Sequence, residues 1–208
     1  MLTFQTASAF FGVSLLLGIT PGPDNVFVLM QSATNGRRAG MLVVLGLCGG
    51  LVVHTTAIAL GLAAVFAASE TAFVLLKFAG AAYLAYLAWQ AFRAPVSDSS
   101  GATAPALPPQ QLLLRGVIMN LTNPKVVFFF LAFLPQFVDP ARGAVALQLG
   151  QLGAIFIVAT LLTFGAVSYF AATAGQKLRR SAKAQQWMNR AASTVFAGLA
   201  LRLALAQR

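Results

Sequence analysis

The chain has 208 residues, of which 59% are apolar and 9% charged, and its mean hydropathy is +0.81. A soluble domain carries about 45–50% apolar and about 25% charged residues, and the acidic residues Asp24, Glu70, Asp98 and Asp139 are too few to cover a water-exposed surface, so the composition excludes a soluble globule and indicates an integral membrane protein. The net charge of +10 comes from basic residues beside apolar runs, where they set orientation in a membrane rather than bind nucleic acid.

The first apolar run, Met1 to Gly36, contains one charge, Asp24. It lacks a basic n-region and is longer than a signal peptide's apolar stretch, so it reads as a span. As one straight helix, Phe4 to Asn35 would be about 48 Å long at about 1.5 Å per residue. That far exceeds the ~30 Å hydrocarbon core. Thr20-Pro21-Gly22-Pro23-Asp24-Asn25 lies within it. Two prolines around a glycine remove backbone donors and clash with the preceding turn, so the span breaks here.

The second run, Ala39 to Ser69, is uncharged and holds Cys48 and His54. A lone cysteine forms no intrachain disulfide and no dithiol redox pair. His54 is the only histidine, which leaves no metal site of ordinary ligands. It reads as a helix-interface residue or a proton relay. Gly46, Gly49, Gly50 and Gly80 suit close helix contacts. The third run, Thr71 to Gln90, contains only Lys77 as a charge. Then Ala94 to Gln110, APVSDSSGATAPALPPQ, has the Pro, Ser and Gly content of a linker.

The fourth run, Gly116 to Val138, repeats the pattern of the first. It is interrupted at Asn120-Leu121-Thr122-Asn123-Pro124-Lys125. Asn123 and Pro124 suit a helix cap and a first helical position. That leaves the Lys125 ammonium at the positive end of its own half-helix, against the dipole rule, so it needs a specific partner, and Asp24 is the obvious one. Asp24 itself also suits a helix N-terminus. Phe128, Phe129, Phe130 and Phe133 follow, to line a cavity or pack on lipid or neighbouring helices. The fifth run, Gly143 to Gln176, is uncharged. The sixth, Trp187 to Ala206, has Arg190 and Arg202 near its ends, where both can snorkel. An interfacial amphipathic helix is the competing reading for it.

The expected fold is therefore all-α and polytopic, with six transmembrane helices. Residues 1–93 and 111–208 form two three-helix repeats, with 94–110 a flexible cytoplasmic linker. Three spans per half is odd, so the second half enters from the opposite side as an inverted repeat. Arg37, Arg38, Arg93, Arg115, Lys177, Arg179, Arg180, Lys183 and Arg190 then share one side, against Arg142, Arg202 and Arg208 on the other. The positive-inside rule makes the first side cytoplasmic and puts both termini outside. Backbone freed at mid-membrane must be buried or line a cavity. Breaks at matching places in two halves thus point to a binding site between them.

These motifs are the ones by which the sequence resembles the LysE/RhtB family of amino-acid exporters. The resemblance rests on TPGPDN at Thr20–Asn25 and NLTNPKVVFFFLAFLPQF at Asn120–Phe137. Gly46, Gly50 and Gly61 and the run KFAGAAYLAYL at Lys77–Leu87 add to it. It covers nearly the whole chain apart from the linker. It implies a bacterial inner-membrane secondary transporter with no cofactor. The expected substrate is an amino acid or small derivative, exported against protons. The motif residues carried over are Pro21, Gly22, Pro23, Asp24, Asn123, Pro124 and Lys125, beside which Asn25 completes the first break. The half-helix ends and Lys125 would hold a substrate carboxylate and Asp24 its ammonium. Glycine-rich faces would allow a homodimer. A channel or a different small-solute carrier is the alternative; Pro135-Gln136, for instance, is shared with small sugar carriers. No nucleophile–base or metal constellation supports an enzyme.

Overall fold

A computed structural model describes residues 1–20, 22–68, 70–93, 107–179 and 182–205. Pro21 and most of the expected linker lie outside the described residues. Every regular element among the described residues is helical, with no strand. The elements are α1 (Phe4–Ile19), α2 (Pro23–Ala68), α3 (Glu70–Arg93), α4 (Pro109–Thr122), α5 (Pro124–Phe128), α6 (Val145–Arg179) and α7 (Ala182–Leu205). Between α5 and α6 the chain continues through a π-turn at Phe129–Phe133 and short 3-10 turns at Leu134–Phe137 and Pro140–Arg142.

Both expected breaks are present. The first apolar run stops at Ile19 and restarts at Pro23. Thr20 closes α1, donating both its N–H and its hydroxyl to Leu16 O, at 3.1 and 2.7 Å. α2 then runs to Gly36, whose φ of 82° is left-handed backbone that only glycine adopts without strain. This kink divides α2 into a first arm, 23–35, and a second arm, 37–68. Arg37 and Arg38 follow it, where the sequence places the turn between the first two spans. The fourth run bends by 54° between Pro109–Thr122 and Lys125–Phe137.

α2 over Pro23–Gly61 and α6 over Val145–Ala171 are each long and apolar enough to cross a membrane, and the bent pair qualifies when taken as one span. The burial pattern is that of a protein in lipid. Leu60, Leu75, Leu162 and Phe170 are exposed, whereas Ser14, Gln31, Ser32, Asn120 and Ser168 are buried. Buried hydroxyls bond back to their own helix, Ser14 to Phe10 O at 2.7 Å and Thr163 to Ala159 O at 2.8 Å.

The α2 second arm packs on α4 and α2 as a whole on α6, while α1 packs on α6 and α3 on α7. Small residues set these contacts. A Cβ on Gly46 would collide with Leu113 O and Gly116 Cα of α4, so the two backbones touch. A Cβ on Gly18 would meet the Thr163 hydroxyl of α6. The Phe run turns inward: Phe129, Phe130 and Phe133 are fully buried with Phe10 of α1 and Phe156 of α6. Phe10 lies 5.0 Å from Phe137 and Phe129 lies 5.2 Å from Phe156, ring centre to ring centre. This aromatic plug lies between the breaks and the end of the bundle that carries the N-terminus. At that end the Met1 amine bonds Arg142 O and Leu2 N–H donates to Gln151 Oε1.

Candidate functional site

The two breaks meet. Asn123 closes α4 in extended conformation (φ −73°, ψ 107°) and caps α5, its Oδ1 accepting from Lys125 N–H at 3.0 Å. Proline at 124 has no N–H to lose at the first position of α5. The other end of the Asn123 side chain reaches across the bundle: Nδ2 donates to Asp24 Oδ2 at 2.7 Å. One asparagine thus ends one half-helix, starts the next and binds the carboxylate of the opposite break.

Asp24 sits in the first turn of α2, just after Pro23, and is 3% exposed. Beside it, Asn25 Nδ2 donates to Gly18 O at 2.8 Å, tying α2 to the last turn of α1. That bond fixes the amide, so Asn25 Oδ1 is the acceptor left over. Asp24 Oδ1 and Asn25 Oδ1 are both buried without a hydrogen-bond partner. Buried acceptors are almost always satisfied, so each such atom calls for an explanation.

Lys125 lies close enough to Asp24 for their opposite charges to attract, as expected, but its hydrogen bonds go elsewhere. Among the described residues it makes no salt bridge with Asp24; the ion pair found there is the exposed Arg142–Asp139. Its ammonium instead donates to Leu17 O at 3.3 Å and Thr20 O at 3.2 Å. These are carbonyls at the C-terminal end of α1, where the dipole is negative and a cation is favoured. Lys125 is therefore misplaced on its own half-helix and well placed on the opposite one. The ammonium passes close to Gly22, where a Cβ would stand 3.1 Å from Nζ.

His54 lies on the second arm of α2, with Nε2 3.4 Å from Asn120 O and its ring 5.5 Å from Phe130. Asn120 O also accepts from Asn123 N–H at 3.2 Å. Among the described residues, His54 thus reaches the site through the α4 backbone. Asn120 Oδ1, also without a partner, lies against Gly50 at the α2–α4 contact. Gln31, on the first arm of α2, is fully buried with an unpartnered Nε2. Among the described residues no cluster of His, Cys, Asp or Glu could hold a metal ion.

No solved structure matches the chain. It is 31% identical to an uncharacterised membrane protein of Vibrio cholerae, over 96% of each chain. It is equally 31% identical, over 94% of each chain, to the homoserine/homoserine lactone efflux protein of Salmonella typhimurium. An uncharacterised membrane protein of Bacillus subtilis is 28% identical over 95% of this chain and 97% of its own. Residues 15–207 match the family of LysE type translocators, and this membrane protein belongs to that family.

Proposed function

We propose that the chain is a secondary transporter that exports a small amino compound, an amino acid or close derivative, across the bacterial inner membrane. The observation that carries this reading is the pair of unpartnered buried acceptors, Asp24 Oδ1 and Asn25 Oδ1, where the two breaks meet. The nearby donors Asn123 Nδ2 and Asn25 Nδ2 are spent on protein oxygens, and so are two of the three N–H groups of Lys125. At most one Lys125 N–H remains for two open acceptors, so the site is short of donors, and a substrate ammonium group supplies three. This shifts the weight from carboxylate binding by Lys125 to ammonium binding by Asp24 and Asn25. Homoserine and its lactone, named for the Salmonella relative, share an α-amino group, while only the open form has a carboxylate. A site anchored on the amine accommodates both.

The architecture we propose is six spans in two inverted repeats, 1–93 and 111–208. Helices α3 and α7, at 24 residues each, are about 36 Å long and can cross the ~30 Å core. The packing pairs support the repeat. Exchange of the two halves swaps α1·α6 with α4·α2 and leaves α2·α6 and α3·α7 unchanged. Alternating exposure would then come from rocking one repeat against the other. Asp24 holds either a proton or an ammonium, so competition at one carboxylate yields proton antiport.

The test is efflux from proteoliposomes loaded with natural amino acids and homoserine, with and without an imposed proton gradient. Uphill, gradient-driven efflux of an amino compound is expected. Downhill flux alone, unaffected by the gradient, indicates a channel.

A further inference from the structure

The end of α1 presents carbonyls that its own backbone cannot satisfy. In an α-helix the carbonyl of residue i accepts from the N–H of residue i+4. For Leu17 that residue is Pro21, which has no N–H. Thr20 has left the helix in extended conformation (φ −60°, ψ 124°), so its carbonyl is outside the ladder too. Gly18 O, between them, is taken by Asn25 Nδ2 from the same half of the chain. Leu17 O and Thr20 O are both taken by Lys125 Nζ from the other half, at 3.3 and 3.2 Å. Leu17, Thr20 and Lys125 are all buried.

Further features at this point suit a compact cation. The carbonyls lie at the negative end of the α1 dipole. The Asp24 carboxylate lies near enough to attract a positive charge. Position 22 is glycine, and a Cβ there would stand 3.1 Å from Nζ and 3.6 Å from Cε, so a larger residue would crowd the ammonium. Open carbonyls at the end of a broken span are the groups with which transporters coordinate cations from solution. Here a side chain of the protein fills the place.

We infer that Leu17 O and Thr20 O form a monovalent-cation site, built for a primary ammonium and occupied by the chain's own Lys125. Lys125 is then a positioning residue. Its ammonium holds the end of α1 against the start of α5 and so sets where Asp24 and Asn25 stand, without touching substrate. This assignment goes beyond the amino-compound reading and does not depend on it. It also specifies what can replace the side chain. Lys125→Ala removes the ammonium and its four-carbon stem together, which opens a space beside two buried acceptors that have lost their donor. A small ammonium from solution restores what was lost. Lys125→Met fills the same space with no donor.

The experiment is thermal unfolding of the purified full-length protein in detergent, with methylammonium chloride compared against choline chloride at matched ionic strength. Methylammonium carries three N–H donors on one carbon, whereas choline is bulkier and has no N–H. Lys125→Ala should unfold below wild type and gain about 2–4 °C more from methylammonium than wild type does. Lys125→Met should show no such excess. Methylammonium held by Asp24 and Asn25 shifts all three proteins alike and drops out of the difference. Lys125→Ser opens the same space and replaces the Ala variant if that one does not fold. The functional readout is exchange of labelled amino acid across proteoliposomes at equal internal and external pH. Methylammonium should raise exchange several-fold in the Ala variant and leave the Met variant inactive, which a merely structural lesion would not do. Equal shifts in wild type, Ala and Met proteins, or a shift with choline as large as with methylammonium, overturn the site. A thermal shift without recovered exchange overturns the positioning role. Wild type that exchanges no amino compound overturns the amino-compound reading alone, since the thermal difference needs no substrate.

Discussion

Asn123 Nδ2 donates to Asp24 Oδ2 at 2.7 Å, joining residues 99 positions apart at the point where two interrupted helices meet. The bond leaves Asp24 Oδ1 open and makes the geometry of each break depend on the other. Asn123→Ala removes this donor and the cap on Lys125 N–H together. Loss of a cap costs about 1 kcal/mol, and a hydrogen bond to a charged group contributes about 1.5–3 kcal/mol. A lower unfolding temperature in detergent and loss of efflux are expected. Asn123→Asp keeps a capping oxygen but sets a second carboxylate against Asp24. It should lose efflux while keeping the cap's share of stability, and a variant with wild-type efflux would leave the Asn123–Asp24 bond without a part in transport.

Lys125 bridges to the C-terminal carbonyls of α1, so Lys125→Met leaves Leu17 O and Thr20 O without their donor. Transport should be abolished, with insertion retained. Lys125→Arg should fail as well, because a planar fork does not fit a pocket shaped for a compact ammonium against Gly22. Wild-type efflux by the Met variant would reduce Lys125 to an anchor for the broken helix.

The helix contacts separate glycines that are needed from those that are not. On Gly46 an added methyl meets α4 backbone, whereas on Gly61 it meets nothing within 4 Å. Gly46→Ala should destabilise by about 1–3 kcal/mol through overpacking. Gly61→Ala should be neutral or stabilising by up to about 1 kcal/mol, since alanine favours the helix. Thermal unfolding of the two variants side by side reads this difference; similar values would place the α2–α4 contact elsewhere.

Proline and asparagine act locally, which is why both breaks and the cap role of Asn123 could be read from the sequence. The kink at Gly36 follows the same logic, although only the nearby Arg37 and Arg38 marked it as a turn. Partners across helices were not legible. Lys125 hydrogen-bonds α1 carbonyls as well as attracting Asp24 through charge, and Phe129 packs on Phe10 and Phe156. Such contacts depend on how each helix is rotated. In lipid both faces of a helix are apolar, so no amphipathic period reveals that rotation. The burial of Gln31 is illegible for the same reason: a glutamine near the end of a span looks like an interfacial residue until its helix is packed.

Orientation follows from the basic residues and is independent of the site. Nine basic side chains, Arg37, Arg38, Arg93, Arg115, Lys177, Arg179, Arg180, Lys183 and Arg190, fall on one side in a six-span arrangement. Reporters fused after Ser99 and after Arg208 should read cytoplasmic and periplasmic respectively. A cytoplasmic reading after Arg208 would remove the sixth span or invert the protein.

Asp24 tests the coupling. In Asp24→Asn, the amide oxygen can still accept from Asn123 Nδ2, so the link between the breaks survives. The second side-chain atom changes from an acceptor to a donor and no longer holds a proton. An ammonium then meets an N–H where it met an oxygen, with Asn25 Oδ1 the remaining acceptor. The variant should unfold near the wild-type temperature, bind substrate weakly and lose gradient-driven export. The decisive comparison is efflux from proteoliposomes with and without an inward proton gradient. Wild type should be stimulated by the gradient, and the variant should show the same slow efflux in both conditions. If a well-folded Asp24→Asn protein still exports uphill when the gradient is imposed, Asp24 serves only to join the breaks. The proton-carrying group must then be sought elsewhere, first at His54, which reaches the site through Asn120 O.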